Sequence, residues 1–460
     1  MNRRDFIADA GKGIGLGAAG LCGGVFLLPG WLEAATGAEP NFFLQVYVEG
    51  GMDSSYLFDA RPLAMTEAGK IQNYLGKEPK IWHGLNGQTT LVTPLVDKLA
   101  PYRGRFSVIN GIVMQTTFDG HPQNVNFMFS GNAFGGDSFI PNLNRGQHPQ
   151  SLDTIVQGEV PGTFRNLDKT IPLSAVSAAR LIETNRNVPA LDQRDPSIGF
   201  IRGRMEANGT GEGGFSMAAR LMAHAYDESP RLSTQLAGIN MSFAARENDP
   251  EGRFLEVMAK FFKEGVSRSA LIAFNTRSEV DTHDPVSASK QPATYEEITS
   301  RLVRIFRFLE ETEFLPGRNL WDFTTVSVAS EFGRTMRQGS KPLDKTGTDH
   351  NTVANSMLLG GKGIRGNWLV GATDYRSATE TLSKAHSKLD PPGFKTMGRP
   401  FDFERFVPRT DLPVEYKDTD YICIQSVVNS IYAVFGVDRS RYWKLGRSGP
   451  VAKVLTRLIA

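Results

Sequence analysis

The feature that most narrows the folds open to this chain is a strand, a long amphipathic helix and a second strand in direct succession between residues 270 and 329. Ala270-Leu271-Ile272-Ala273-Phe274 is an apolar run of strand length. Beyond it Tyr295, Ile298, Leu302, Ile305, Phe306 and Leu309 recur mostly three or four residues apart, with Glu296, Glu297, Arg301, Arg304 and Glu310 between them. That spacing predicts a helix with one apolar face. Thr324-Thr325-Val326-Ser327-Val328-Ala329 then reads as a β-branched strand. Such a βαβ unit belongs to a parallel sheet covered by helices. Phe42–Val48 and Phe106-Ser107-Val108-Ile109 add two more strand-like runs. The expected class is α/β, a mostly parallel central sheet with helices on both faces, whose ligand crevice lies at the carboxyl ends of the strands.

Residues able to bind a hard cation fall at those ends. Asp53 follows the first strand in Gly50-Gly51-Met52-Asp53-Ser54-Ser55. Asp281-Thr282-His283-Asp284 follows Phe274, and Ser330-Glu331-Phe332-Gly333-Arg334-Thr335 follows Ala329. Gly347-Thr348-Asp349-His350-Asn351 lies in the next loop. Only seven histidines occur in the chain, and two of them sit in these acidic segments. Carboxylate and imidazole without thiolate suit Zn²⁺ or Mn²⁺, with Mg²⁺ or Ca²⁺ favoured if the histidines are not ligands. Each cluster alone also reads as an ordinary solvated loop; their shared position at strand ends is what sets them apart.

The amino terminus carries Arg3-Arg4, a Gly/Ala/Leu-rich run from Gly13 to Leu28 and small residues near Ala34–Ala38. These are the parts of a twin-arginine export signal, expected to span residues 1–38 and to be removed. Glycines dilute the apolar run and Pro29-Gly30 stops it short of a membrane span, so no integral membrane segment is expected after cleavage. The expected location is periplasmic or secreted, with the twin-arginine machinery as a partner. Cys423 is then the remaining cysteine, which excludes an intramolecular disulfide. A net charge of +2, from 51 basic and 49 acidic residues, gives no global field for nucleic acid. Residues 185–250, with Pro189, Arg194-Asp195-Pro196 and the glycine-rich 208–214, read as a mainly helical insertion or lid in a single domain over 39–460. Residues 385–417 read as irregular surface chain, and a last helix near Ile422–Phe435 is expected to stop at Gly436.

Taken in order, Arg3-Arg4, the GGMDS loop, Asp281-Thr282-His283, TTVSVASEFGRT, GTDHN and Gly360–Gly366 resemble the secreted family called domain of unknown function 1501. SEFGR followed by GTDH is the most specific part of that resemblance. The family looks like a branch of the alkaline phosphatase and sulfatase superfamily. The resemblance implies an alkaline phosphatase-like α/β domain with one or two metals, transferring phosphoryl or sulfuryl groups. On it, Asp53, Asp281, His283, Glu331, Asp349 and His350 are metal candidates, and Arg334 would bind a non-bridging ester oxygen, with a surface ion pair as its alternative.

The nucleophile is where this sequence departs from the pattern. The family tends to place Ser just before His121, and this chain has Gly120. Thr117 is the best substitute by spacing and Thr116 is next, with a helix-capping role as the alternative for Thr117. His121 would bind metal or act as an acid. With neither cysteine placed to serve, a formylglycine-type sulfatase is not expected. The expected function is an exported metal-dependent hydrolase acting on a phosphate or sulfate ester of a small molecule or polymer. The alternative is a secreted, non-catalytic binding or assembly protein on the same metal-binding scaffold. An oxidoreductase would need a glycine-rich dinucleotide loop or thiolate ligands, and the sequence has neither.

Overall fold

Phe42–Val48 is buried at every position, the pattern of a strand covered on both faces. In the computed structural model it lies inside an eight-stranded sheet. The structure describes residues 39–64, 75–114, 118, 120–136, 138–143, 154–158, 170–172, 239, 243–246, 248–335, 347–375, 396–411, 417–446 and 448–460. The expected export signal, Thr116 and Thr117, and nearly all of the expected insertion lie outside the described residues.

In chain order the sheet strands are β1 (Phe42–Val48), β2 (Phe106–Ile112), β3 (Thr154–Gln157), β4 (Thr170–Pro172), β5 (Ser269–Phe274), β6 (Thr324–Ala329), β7 (Asn355–Gly361) and β8 (Leu369–Val370). Their spatial order is β8-β2-β7-β6-β1-β5-β3-β4. β1 pairs in parallel with both β6 and β5, Leu44 lying opposite Val326 and Ala270. Within this sheet β7 alone runs antiparallel to its neighbours, β6 and β2. The mostly parallel α/β class expected from the sequence is what the chain adopts.

Successive side chains of a strand point to opposite faces. Phe42 stacks on Phe262 of helix α2 (Pro250–Lys263; helix α1 is His121–Ser130), with ring centroids 4.5 Å apart. Phe43 turns the other way, to Phe139 and to Phe435 beyond helix α4 (Ile424–Val434), at 5.8 and 6.0 Å. Helices thus cover both faces.

The long helix α3 (Pro285–Glu311) buries Tyr295, Ile298, Leu302, Ile305, Phe306 and Leu309, the apolar stripe read from the sequence. Burying one such large side chain is worth about 1.5–3 kcal/mol, so this stripe is a main anchor of the helix. The helix starts before Tyr295 because Asp284 caps it, accepting from the Val286 and Ser287 amides at 2.9 Å each. Pro285 fits the first turn, where no amide proton is needed. Arg301 of α3 lies over the Phe274 ring at 3.6 Å and binds Glu251 of α2 at 2.6 and 2.8 Å, joining the two helices on one face.

One local reading changes and another holds. The described part of residues 385–417 is not all surface chain: Met397, Phe401 and Phe406 are buried, and Thr396–Gly398 forms a short antiparallel ladder with Thr373–Tyr375. Apolar side chains spaced among Pro and Arg were enough to fold this segment back on the core. The last helix ends as expected, with Gly436 at φ +64°. Among the described residues no helix is long and apolar enough to cross a membrane.

Candidate metal centre

Because β1, β2, β5 and β6 run the same way, their carboxyl ends open onto one edge of the sheet. Asp53 follows β1, Asp281 follows β5 through a short helical turn at Arg277–Val280, and Glu331 follows β6. The chain leaving β2 delivers His121 as the first residue of α1. His350 arrives on a two-residue strand, His350–Asn351, paired antiparallel with Gly333–Arg334 so that His350 stands opposite Arg334.

Four side chains converge at this edge. His121, Asp281, His283 and His350 each offer a ligand atom, and those atoms all lie within 4.8 Å of one another. Asp281 is the hub. Its Oδ2 is 3.0 Å from His121 Nε2; its Oδ1 is 2.9 Å from His283 Nε2 and 3.6 Å from His350 Nε2. The Nε2 atoms of His283 and His350 face each other at 3.1 Å. Phe332 packs against two of the imidazoles, its ring centroid 4.8 Å from buried His121 and 4.4 Å from half-buried His350. That wedge needs a glycine beside it: a Cβ on Gly51, at φ +79°, would lie 2.2 Å from the Phe332 ring.

The other sequence-derived candidates occupy different places. Asp53 is buried and turned into its own loop, where Oδ1 accepts from the Ser55 amide at 2.9 Å and the Ser55 hydroxyl at 2.6 Å. Burial pushes its pKa up to about 6, against those hydrogen bonds and the Arg334 charge. Asp349 stands at the exposed rim, its Oδ1 3.7 Å from His283 Nδ1. Glu331 is fully buried and meets His121 Nδ1 at 2.7 Å. The Arg334 side chain is entirely buried, not a surface ion pair. Its Nη1 donates to Asp281 Oδ1 at 3.1 Å and its Nε to Thr348 Oγ1 at 3.0 Å.

Charge follows this geometry. Burial acts to raise the Asp281 pKa, but the three neighbouring histidines and the Arg334 charge outweigh it and hold the carboxyl well below the usual range. Burial acts to lower the His121 pKa, and the adjacent Asp281 and Glu331 overcome it, so the net direction is upward. His121 Nε2 is buried, and despite the nearby Asp281 oxygen its angles make no hydrogen bond. If Nδ1 alone carries a proton, the one given to Glu331, a lone pair and a carboxylate oxygen confront each other at 3.0 Å, which either a second proton on Nε2 or a metal ion relieves. The residues present therefore fit a divalent ion.

Residues 312–388 match the family model described as Protein of unknown function (DUF1501). That segment holds both SEFGR and GTDHN, so the family resemblance is borne out there. Solved structures with distant likeness include the PsFucS1 sulfatase from Pseudoalteromonas sp., at 10% identity, covering 93% of this chain and 74% of that one, with a TM-score of 0.32. The lipoteichoic acid synthase LtaP from Listeria monocytogenes is 9% identical over 72% of this chain and 68% of that one, at a TM-score of 0.29. A TAB5 alkaline phosphatase mutant with bound Mg is 8% identical over 72% and 95%, also at 0.29. Among curated proteins none matches the chain.

Sequence reasoning missed the residues that hold these groups in place. Tyr47, inside an apolar strand, sends its hydroxyl to Glu331, and Tyr295, a member of the α3 stripe, accepts from the Asp53 amide at 2.5 Å. Nothing in a one-dimensional pattern separates a tyrosine with a buried partner from one that only fills space.

Proposed function

We propose that the protein is an exported metal-dependent hydrolase of a phosphate or sulfate ester, with His121, Asp281, His283 and His350 holding the ion. The observation that carries this is the convergence of three imidazole Nε2 atoms and one carboxylate, including a buried Nε2 without a hydrogen bond. Three nitrogen donors favour Zn²⁺ or Mn²⁺ over Ca²⁺ or Mg²⁺. A divalent ion there would supply Lewis-acid polarisation of the ester and a lower pKa for the attacking oxygen.

The chain's own residues do the rest. Arg334 holds Asp281 Oδ1 in place and offsets its charge, with Thr348 fixing the guanidinium in turn. His283 is 40% exposed and His121 only 7%, so an ester would approach from the His283 and Asp349 side. Thr117 is the proposed nucleophile, on the sequence spacing before His121. Export rests on Arg3-Arg4 and the run that follows them. The scaffold alternative draws on Gly120, which precedes α1 at the N-cap position without a side chain to cap it, where the resembled family tends to carry serine.

The test is turnover of aryl phosphate and aryl sulfate esters by chelator-treated protein given Zn²⁺, Mn²⁺, Ca²⁺ or Mg²⁺ in turn. Hydrolysis restored by Zn²⁺ or Mn²⁺ and lowered at least about 100-fold by Asp281→Asn is expected. Metal bound without turnover of any ester would favour the scaffold.

A further inference from the structure

We infer that Glu331, the carboxylate of SEFGR, is a positioning residue and not a metal ligand: it fixes the Nδ1–H tautomer of His121 and so aims Nε2 at the ion. This rests on the metal-binding reading above and assigns a role within it.

An ionised carboxylate has about four lone-pair sites. At Glu331 Oε1, His121 Nδ1 stands at 2.7 Å and the Gly50 amide at 3.0 Å. At Oε2, the Tyr47 hydroxyl stands at 3.0 Å and the Ser330 hydroxyl at 2.9 Å. The Gly50 amide can only donate. Ser330 Oγ accepts from the Met52 amide at 2.9 Å, which leaves its own proton for Glu331. With every acceptor site taken, neither oxygen has a lone pair left for a cation.

The cage around Glu331 is built from several elements. Tyr47 comes from β1, and Gly50 and Met52 from the loop after it. Ser330 is itself held from β7, where Asn355 Nδ2 donates to its carbonyl at 2.8 Å. So elaborate a support is expected where the orientation of one imidazole decides whether a site forms, because a carboxylate behind a ligating histidine sets its tautomer and raises its basicity. Glu331 stands outside the group whose ligand atoms converge, and His121 stands inside it.

The experiment is a Zn²⁺ titration of the full chain against a competing chromophoric chelator, together with the visible spectrum of the Co²⁺-loaded protein. Glu331→Gln is expected to weaken Zn²⁺ binding about 10- to 100-fold, while still taking up the same number of ions at saturation and keeping the Co²⁺ band positions. Asp281→Asn, which changes the ligand set, is expected to move those bands. Tyr47→Phe removes one support without touching the carboxylate and should weaken binding by a few-fold; it also serves if Glu331→Gln does not fold. Wild-type affinity in both variants, or a Co²⁺ spectrum altered in Glu331→Gln as in Asp281→Asn, overturns the assignment while leaving the metal site standing. A wild-type chain that binds neither ion defeats the metal reading and this role together.

Discussion

Asp53 shows how much depends on the direction a side chain takes. Its carboxyl is buried, and burial raises its pKa from 3.8 to about 6. A carboxyl whose folded pKa exceeds its unfolded value holds its proton more tightly in the fold, so ionisation costs stability. The cost is about 3 kcal/mol, complete above the folded pKa and absent below the unfolded one. Asp53→Asn keeps an acceptor for the Ser55 amide and removes the charge. In urea unfolding with chelator present, the stability gained by this variant over wild type should shrink from about 3 kcal/mol near pH 7.5 to nearly zero near pH 4. A gain that stays flat with pH contradicts the assignment. The sequence places Asp53 at a strand end beside the other acidic loops. Whether it turns toward His350 or into its own 3₁₀ turn is decided by Ser55 and Tyr295, whose contacts no sequence pattern displays.

At the scale of elements, strands buried on both faces and the stripe of α3 were legible because their residues repeat a simple rule. β6 was read with its observed bounds, and β2 was read short by its Asn110-Gly111-Ile112 end. β7 escaped, since Asn355-Ser356 opens it and Gly360-Gly361 closes it, and its place was set by pairing with β2 and β6. The hairpin carrying His350 was equally hidden, being two residues long on each side. It can be tested through Gly333, where an added Cβ would lie 2.1 Å from the Ala354 carbonyl oxygen. Gly333→Ala should cost about 1–3 kcal/mol by overpacking and shift His350 enough to lower Zn²⁺ affinity about tenfold or more. Gly104→Ala, whose Cβ meets nothing within 4 Å, is the control expected to leave binding unchanged. Equal Zn²⁺ affinity in the two variants would mean that the hairpin does not set the position of His350.

For the whole molecule, the informative fact is that residues 121, 281, 283 and 350 meet at one edge of one sheet. A parallel arrangement makes this natural, because each strand delivers its following loop to the same side. The sequence announced that edge and most of the residue types near it. It could not rank them: His121, read from sequence as a ligand or an acid, converges with Asp281, while Glu331 and Asp53 stop short. Equilibrium dialysis of the chelator-treated chain against Zn²⁺, followed by elemental analysis, addresses the shared claim most directly. The wild-type chain should retain roughly one ion, and a folded His121→Ala/Asp281→Asn double variant less than about a tenth of that. A wild-type chain that retains none, or a double variant that retains as much as wild type, would contradict the metal centre described above.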